Sequence, residues 1–539
     1  MAAADRSLLD WIEESATHRG LHFAEAGGTW QFWSYAQLAE LSLRAASAFR
    51  CRDLTDGNVI AIIQPSSPGF TASLFGALSA GLTACSVAPP FAIRRREEYA
   101  RHISHLLSVS RPDLVVCDAE SVGALRGPLT ALNLAHVVFS DLIDQVPAMD
   151  SPREPTGTAL LQFTSGSSGF SRGVRISAHA LRANLDAMRH WLNWDASQPG
   201  ISWLPVHHDM GLVGCLLNAV VTSSDTYLMQ PDDFIRSPLR YLTCISDHKV
   251  MMTAMPNFGL AYILHRIRSE QLRDLRFDSL RAIILGAERI DSRVLDEFER
   301  LLGPYGLDRR ALLPSYGSAE ATLAIAGLAP GTGWRTASPD HSSTGTGKTE
   351  AVGCGRPLRG ITVAIMGEDG HQVAPGEVGE IVISGPSIAS GYVQPADNAS
   401  GSRISGRTLR SGDAGFMVDG ELFVIGRLGD GLKVRGRMVF AETLEMALAE
   451  RGIPERRMAV LLGIAGDRQA GVVVFENEQD GWAPIAADVL GVALPDAELT
   501  VVSVPRGSLA VTSSGKPRRR VMWQAFLESR LDGHSVESR

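Results

Sequence analysis

An alternation that repeats through the first 260 residues constrains this chain most. Segments with helical spacing of apolar residues are followed by short apolar runs. SYAQLAELSLRAASAFRCR has the helical period, and NVIAIIQP then reads as a buried strand ending at proline. SPGFTASLFGALSAG is helix-like, TACSVAPP strand-like, EEYARHISHLLSVS helix-like and DLVVCD strand-like. Strands spaced by helices of this length predict βαβ units and a largely parallel sheet. RAIILG, VLDEFERLLGPYG and ALLPSYG repeat the pattern further on. After Ala324 the character changes. GLAPGTGWRTASPDHSSTGTGKTEA reads as an irregular loop, and ITVAIMGEDGHQV, GEVGEIVISG and DGELFVIGR as short strands joined by turns. ETLEMALAERG, RMAVLLGIA, AGVVVFE and RRRVMWQAFLESRL form a last helix-and-strand segment. The expected fold is α/β: a large N-terminal domain (1–428) of parallel-sheet layers plus a β-rich subdomain, then a small mobile α+β C-terminal domain (429–539).

With 539 residues the chain has room for more than one core. A net charge of −8 without a long basic stripe disfavours general nucleic-acid binding. The one basic cluster, Lys516 with Arg518, Arg519 and Arg520, reads from composition as a solvated surface run. The six cysteines are scattered, with no C-x-x-C pair and no zinc-like spacing, so buried free thiols in a reducing cytoplasm are expected. The first twenty residues lack the apolar segment of a secretory signal. The most membrane-like stretch, Leu74 to Ile93, contains two glycines, several hydroxyls and a Pro-Pro step. It reads as a buried helix and strand, so no membrane span is expected.

One segment, LLQFTSGSSGFSRGVRIS (160–177), carries six small residues next to a cation. Glycines allow close backbone approach, successive N–H groups can form an anion nest, and Ser, Thr and Arg add donors. Apolar runs on both sides argue against a free linker. Locally, a phosphate loop and an ordinary turn both remain open. TGTGKTE (344–350) is a decoy: a P-loop needs Gly where Ser342 stands, and the strand and helix that should flank it are missing.

The first segment does not stand alone. LLQFTSGSSGFSRGV resembles the phosphate loop of the adenylate-forming, acyl-activating superfamily. WLPVHHDMGLVG, AMPNFGLAY, LRAIILGAERI, LLPSYGSAEATL, AVGCGRPLRG, GEIVISGPSIASGY, RSGDAGFMVDGELFVIGRLGD and SLAVTSSGKPRRR follow in that superfamily's order. The segments HDMGLVG, PNFGLAY and CGRPLRG resemble its fatty acyl-AMP ligase branch. The resemblance implies attack of an acyl carboxylate on the α-phosphate of ATP, releasing pyrophosphate. Both partners are anionic, so charge screening and positioning dominate.

The resemblance also implies roles. Thr164, Ser165, Gly166, Ser167, Ser168 and Gly169, with Arg172 where relatives usually carry Lys, would hold the β- and γ-phosphates. Ser315, Tyr316, Gly317 and Ser318 would line one side of the adenine, and Gly286, Ala287 and Glu288 the other. Asp413, assisted by Arg427, would bind the ribose, and Glu320 would bind Mg²⁺. His208, Asp209, Met210 and Gly211, with Pro256, Asn257 and Phe258, would border the acyl group, His208 as a gate rather than a base. Lys516 would bridge carboxylate and α-phosphate. Gly429 stands at the position of the family's hinge, and the loop 324–351 is shorter than the family's insertion. The implied substrate is a hydrophobic acid, linear or bulky and polycyclic (a diterpenoid acid, for example). The implied acceptor is an acyl carrier protein or a separate thioester-forming enzyme. A complete acyl-CoA synthetase and a non-catalytic acyl or nucleotide binder are the competing readings.

Overall fold

A computed structural model of the chain describes residues 7–90, 96–164, 171–340, 350–394, 401–435, 437–466, 468–512, 516–531 and 533–538. Ser165, Gly166, Ser167, Ser168 and Gly169 lie outside the described residues, as does most of the P-loop decoy.

The predicted alternation becomes two layered α/β sheets. One has the spatial order Gly391–Tyr392, Gly173–Ser177, Thr158–Phe163, Thr83–Ser86, Val59–Ile63, Leu114–Cys117, His136–Val138. Its centre is parallel, with Ile60 opposite Ala84 on one side and Leu114 on the other. Gly173–Ser177 pairs antiparallel with Thr158–Phe163. The connection between them is shorter than the roughly dozen residues that a parallel crossover needs.

Helix Tyr35–Arg50 begins at a reciprocal cap: the Ser34 hydroxyl accepts from the Gln37 N–H, and the Gln37 side-chain oxygen accepts from the Ser34 N–H. It packs on helix Pro68–Ser79. A Cβ on Gly76 would come within 2.7 Å of the Ala45 Cβ and 2.9 Å of the Ser42 carbonyl oxygen, so only glycine allows this approach. Beside it, fully buried Phe75 meets the Trp11 ring edge-on at 4.8 Å, and truncating such a side chain to Ala costs about 3–5 kcal/mol. The membrane-like stretch is thus a buried helix followed by buried strand Thr83–Ser86. No helix among the described residues is long and apolar enough to cross a membrane.

The second sheet has nine strands. From Leu312–Gly317 through Ala282–Leu285, Met252–Met255, Gly200–Ser202 and Thr226–Leu228 to Gly20–Ala24, every neighbouring pair is parallel. Parallel strands end together, and their carboxyl ends open one shared crevice, where open α/β sheets bind ligands. The expected β-rich subdomain is antiparallel, built from Thr362–Met366, Gly379–Ser384, Thr408–Val418, Arg403–Ser405 and Glu421–Arg427.

The chain forms a large N-terminal and a small C-terminal domain. The small domain carries the sheet Met458–Ala465, Arg468–Glu476, Glu498–Val504, His534–Ser538. Strands Met458–Ala465 and Arg468–Glu476 carry buried apolar residues on both faces because helices cover both. Val460, Val473 and Phe475 pack with Leu444 and Leu448 of helix Ala441–Glu450 and Leu490 of Trp482–Ala493. The alternate residues Ala459, Leu461, Val472 and Val474 pack on Met522 of helix Arg519–Leu527.

Two expectations change, for Arg519 and for one cysteine, and Gly429 is placed. Arg519 is not a solvated surface charge: it is nearly buried and pairs with Asp430, Glu442 and Glu445 at 3.2, 3.0 and 2.6 Å. Desolvation opposes its charge, but the three carboxylates prevail and its pKa is raised. Gly429 sits in the short 3-10 turn Leu428–Asp430 outside the left-handed region, and a Cβ there would meet Arg520 Nη2 at 2.5 Å. A cysteine, Cys51, is exposed, while the other five are buried and all six are free.

Candidate active site

The crevice at the carboxyl ends of the parallel strands gathers segments far apart in sequence. Gly286, Ala287 and Glu288 follow strand Ala282–Leu285, and Ser315 to Gly317 end strand Leu312–Gly317. A Cβ on Gly286 would press on the Ser315 hydroxyl at 3.0 Å, and that hydroxyl donates to the Leu285 carbonyl at 2.9 Å. Ala287 holds a left-handed backbone at φ 64°, a strained conformation for a residue with a Cβ. Glu288 accepts the Phe258 N–H, and burial raises its carboxyl pKa. The Ser318 hydroxyl is buried with no partner among the described residues.

Tyr316 donates its hydroxyl to Asp413 Oδ2, and Asp413 Oδ1 lies 3.0 Å from Arg427 Nε. Asp413 and Arg427 face each other across the antiparallel pair Thr408–Val418 and Glu421–Arg427. The Asp413 charge raises the Arg427 pKa, whereas Tyr316 is raised first by burial and then by Asp413.

Thr164 and Arg172 form the neck of the small-residue loop. The Thr164 N–H donates to the Arg172 carbonyl, and the Arg172 N–H donates to the Thr164 hydroxyl at 3.2 Å. The Arg172 guanidinium turns inward. It lies 3.8 Å over the Tyr392 ring and 3.6 Å from Glu320 Oε1, and it donates to the hydroxyl of Tyr392. Glu320 Oε1 also accepts from Tyr392 at 3.0 Å and Ser402 at 3.3 Å. Tyr392 closes the quoted segment GEIVISGPSIASGY, where nothing in the residue pattern marked it as a partner of Glu320. Ser402 had no sequence signal, because only the antiparallel subdomain brings it there.

His208 and Asp209 lead into the π-helix Met210–Leu217. Asp209 caps it by accepting the Met210 N–H at 2.8 Å, and its buried carboxyl has a raised pKa. A Cβ on Gly211 would collide with the Pro205 carbonyl oxygen at 2.3 Å, so the helix starts here only with glycine. The His208 ring lies 4.6 Å from the His207 ring. Burial, then the charge of Lys516, pushes the His208 pKa down to about 4, leaving it neutral near pH 7.

Half-buried Lys516 sits in a turn where the Thr512 N–H donates to its carbonyl and its own N–H donates to the Thr512 hydroxyl. Burial and then Arg427 lower its pKa, against the pull of Glu288, Asp209 and Asp413. Those charges belong to the large-domain crevice, where Arg456 of the small domain also stacks over Phe258 at 4.3 Å.

Next to these groups lies an apolar cavity of about 70 Å³. Asp209, Gly286, Ala287, Tyr316, Trp191 and Trp194 are among its lining residues. Pro256, Asn257 and Phe258, expected at the acyl group, are not among the lining residues. Asn257 instead accepts the Asp291 N–H at 3.2 Å, and Phe258 meets Arg456. No cluster of three or more His, Cys, Asp or Glu side chains among the described residues could hold a metal.

Fold and crevice together define an enzyme that joins a nucleotide to a second, apolar substrate. The profile of the family described as AMP-binding enzyme matches residues 11–393, and the chain belongs to that family. A long-chain-fatty-acid–AMP ligase of Mycobacterium marinum is 29% identical over 526 residues, covering 88% of each chain. A medium-chain-fatty-acid acyl-carrier-protein ligase of Moorena producens is 28% identical over 540 residues, covering 93% of this chain and 90% of its own. A solved structure from a study of fatty acyl-adenylate ligases of E. coli and L. pneumophila aligns with TM-score 0.87 and 26% identity, covering 98% of this chain and 99% of that one.

Proposed function

We propose that this chain is an ATP-dependent acyl-AMP ligase for a hydrophobic carboxylic acid. One observation carries the reading. The apolar cavity and the nucleotide-side segments share Gly286, Ala287, Ser315 and Tyr316, and the charges of Arg427, Glu288 and Asp209 act on Lys516 from that side. An acid in the cavity would have its carboxylate beside the α-phosphate. A carboxylate oxygen attacks the α-phosphorus, the bond to the bridging oxygen breaks, and pyrophosphate leaves with that electron pair. The carboxylate is already ionised at neutral pH, so no general base is needed, which suits a His208 kept neutral as a gate.

Lys516 screens both anions and follows their charge into the transition state. Arg172, Thr164 and the loop through Ser165, Gly166, Ser167, Ser168 and Gly169 hold the β- and γ-phosphates. Asp413 and Arg427 hold the ribose, and Tyr316 and Ser318 border the adenine opposite Gly286 to Glu288. A single carboxylate fits Mg²⁺, which is commonly bound through one or two carboxylates plus substrate phosphates. Glu320 would hold the ion, which would supply charge neutralisation of the phosphates. We place the domain boundary at residues 428 and 429 and the reaction in the cytoplasm, where six unpaired thiols persist. The acyl acceptor is a carrier protein or a separate thioester-forming enzyme.

The test is acid-dependent exchange of labelled pyrophosphate into ATP, followed by mass spectrometry with free CoA present. Acyl-AMP consumed only after a carrier protein is added supports the reading. No exchange with any linear or polycyclic acid overturns it, and rapid stoichiometric acyl-CoA replaces the acceptor.

A further inference from the structure

The cavity wall carries a buried amide, Asn218, that the proposed chemistry does not use and that no described residue pairs. Asn218 lies in the run MGLVGCLLNAVV, where every other residue is glycine, cysteine or apolar. It is 0% exposed and lines the cavity. Neither its side-chain oxygen nor its side-chain nitrogen has a hydrogen-bond partner among the described residues. Buried amides are ordinarily paired at both ends, and an apolar residue of the same shape would fold at least as well. An amide kept here with both ends open therefore points to something that enters the cavity.

Other polar groups of the wall are already engaged. The Ser202 hydroxyl accepts the Leu204 N–H at 3.1 Å, and the Thr253 hydroxyl donates to the Ile201 carbonyl at 2.9 Å. The Thr226 hydroxyl points to the Ser224 carbonyl at 3.4 Å. Met210, Gly214, Cys215 and Asn218 mark successive turns of one helix face along the cavity. In the proposed reaction the acid's carboxylate lies on the Asp209 side. Asn218 comes nine positions later, roughly 10–13 Å further in at helical rise. Among the described residues, Asp209 is the one Asp, Glu, Lys or Arg that lines the cavity. A charged group on the acid would be desolvated there without a counter-ion, whereas a neutral one would not.

We propose that the preferred acid carries a neutral hydrogen-bonding group, a hydroxyl or a carbonyl, partway along its apolar body, and that Asn218 recognises it. The amide oxygen accepts from a hydroxyl, and the amide nitrogen donates to a hydroxyl or carbonyl oxygen. Plain alkyl chains leave the amide unpaired, so Asn218 discriminates against them in the way a site built for a substrate hydroxyl rejects an analogue without it. This assignment rests on the acyl-AMP ligase reading.

The experiment compares pyrophosphate exchange with dodecanoic acid and with its monohydroxylated isomers, the hydroxyl walked along the chain, in wild type and in Asn218→Leu. The expected result is one favoured isomer in wild type, with kcat/KM about tenfold above dodecanoic acid, the scale of one well-paired buried group. Asn218→Leu is expected to abolish or invert that ratio while raising the melting temperature, since it removes an unpaired amide. Wild type alone can overturn the proposal: dodecanoic acid equal to or better than every hydroxylated isomer ends it. So does a ratio that Asn218→Leu leaves unmoved. Both outcomes leave adenylation standing, whereas no exchange with any acid of the series removes the ligase reading and this assignment with it.

Discussion

Tyr316 donates its hydroxyl to Asp413 at 2.5 Å, joining the end of a parallel strand to an antiparallel hairpin 97 positions away. The bond orients the Asp413 carboxylate while Arg427 holds its other oxygen at 3.0 Å. Tyr316→Phe keeps the ring and removes one hydrogen bond to a charged group, worth about 1.5–3 kcal/mol. We expect KM for ATP to rise roughly tenfold or more with kcat changed less. Steady-state exchange with ATP varied checks this, and an unchanged KM would remove Asp413 from nucleotide binding.

Arg172 does three things at once: it stacks on Tyr392, donates to its hydroxyl and faces Glu320. A lysine can supply charge but not the planar fork. Arg172→Lys is expected to retain activity with weaker ATP use, and Arg172→Ala to lose more. Because Glu320 loses its cation in the Ala variant, the Mg²⁺ concentration for half-maximal activity should also shift. Titrations of ATP and Mg²⁺ on both variants measure this; identical kinetics for wild type and the Ala variant would count against the phosphate role.

Lys516→Ala should lower adenylation at least about a hundredfold, the scale for one preorganised electrostatic contact. ATP binding, measured by calorimetry, should change little, because the segments proposed to bind the nucleotide belong to the large domain. A normal adenylation rate would show that the half-buried ammonium is structural.

Arg519 joins helix Arg519–Leu527 to Asp430 in the 3-10 turn and to Glu442 and Glu445 on helix Ala441–Glu450. Removing it leaves three carboxylates facing one another, and breaking such a buried pair costs about 3–5 kcal/mol. Arg519→Met should therefore unfold the small domain at a clearly lower denaturant concentration. A midpoint like that of wild type would mean the cluster contributes nothing net.

Glu442 gives this cluster a pH dependence. Burial, partly opposed by Arg519, raises its pKa from 4.5 to about 7. An acid whose folded pKa exceeds its unfolded value binds its proton more tightly when folded. Its contribution to stability is thus present below pH 4.5, falls as pH rises toward about 7 and is then flat. The difference in unfolding free energy between wild type and Glu442→Gln should change across that interval, and a pH-independent difference would contradict the shift.

Much of this protein was legible from residue order alone. Periodicity separated Tyr35–Arg50 from Val59–Ile63 because helix and strand faces repeat at different intervals, and that spacing is local. The small-residue loop, Glu320, Asp413 and Lys516 stood out because their contiguous segments resemble those of the adenylate-forming superfamily, and their roles are those proposed above. Tertiary structure decided the rest. Ser402 reaches Glu320 from 82 positions away, Arg519 is a buried hub rather than a surface charge, and Asn257 accepts the Asp291 N–H from 34 positions away. None of these leaves a local pattern. Whether a cation is solvated or paired, and whether an amide such as Asn218 is satisfied, depends on what the packed sheets bring within hydrogen-bond reach, and no sequence spacing encodes that distance.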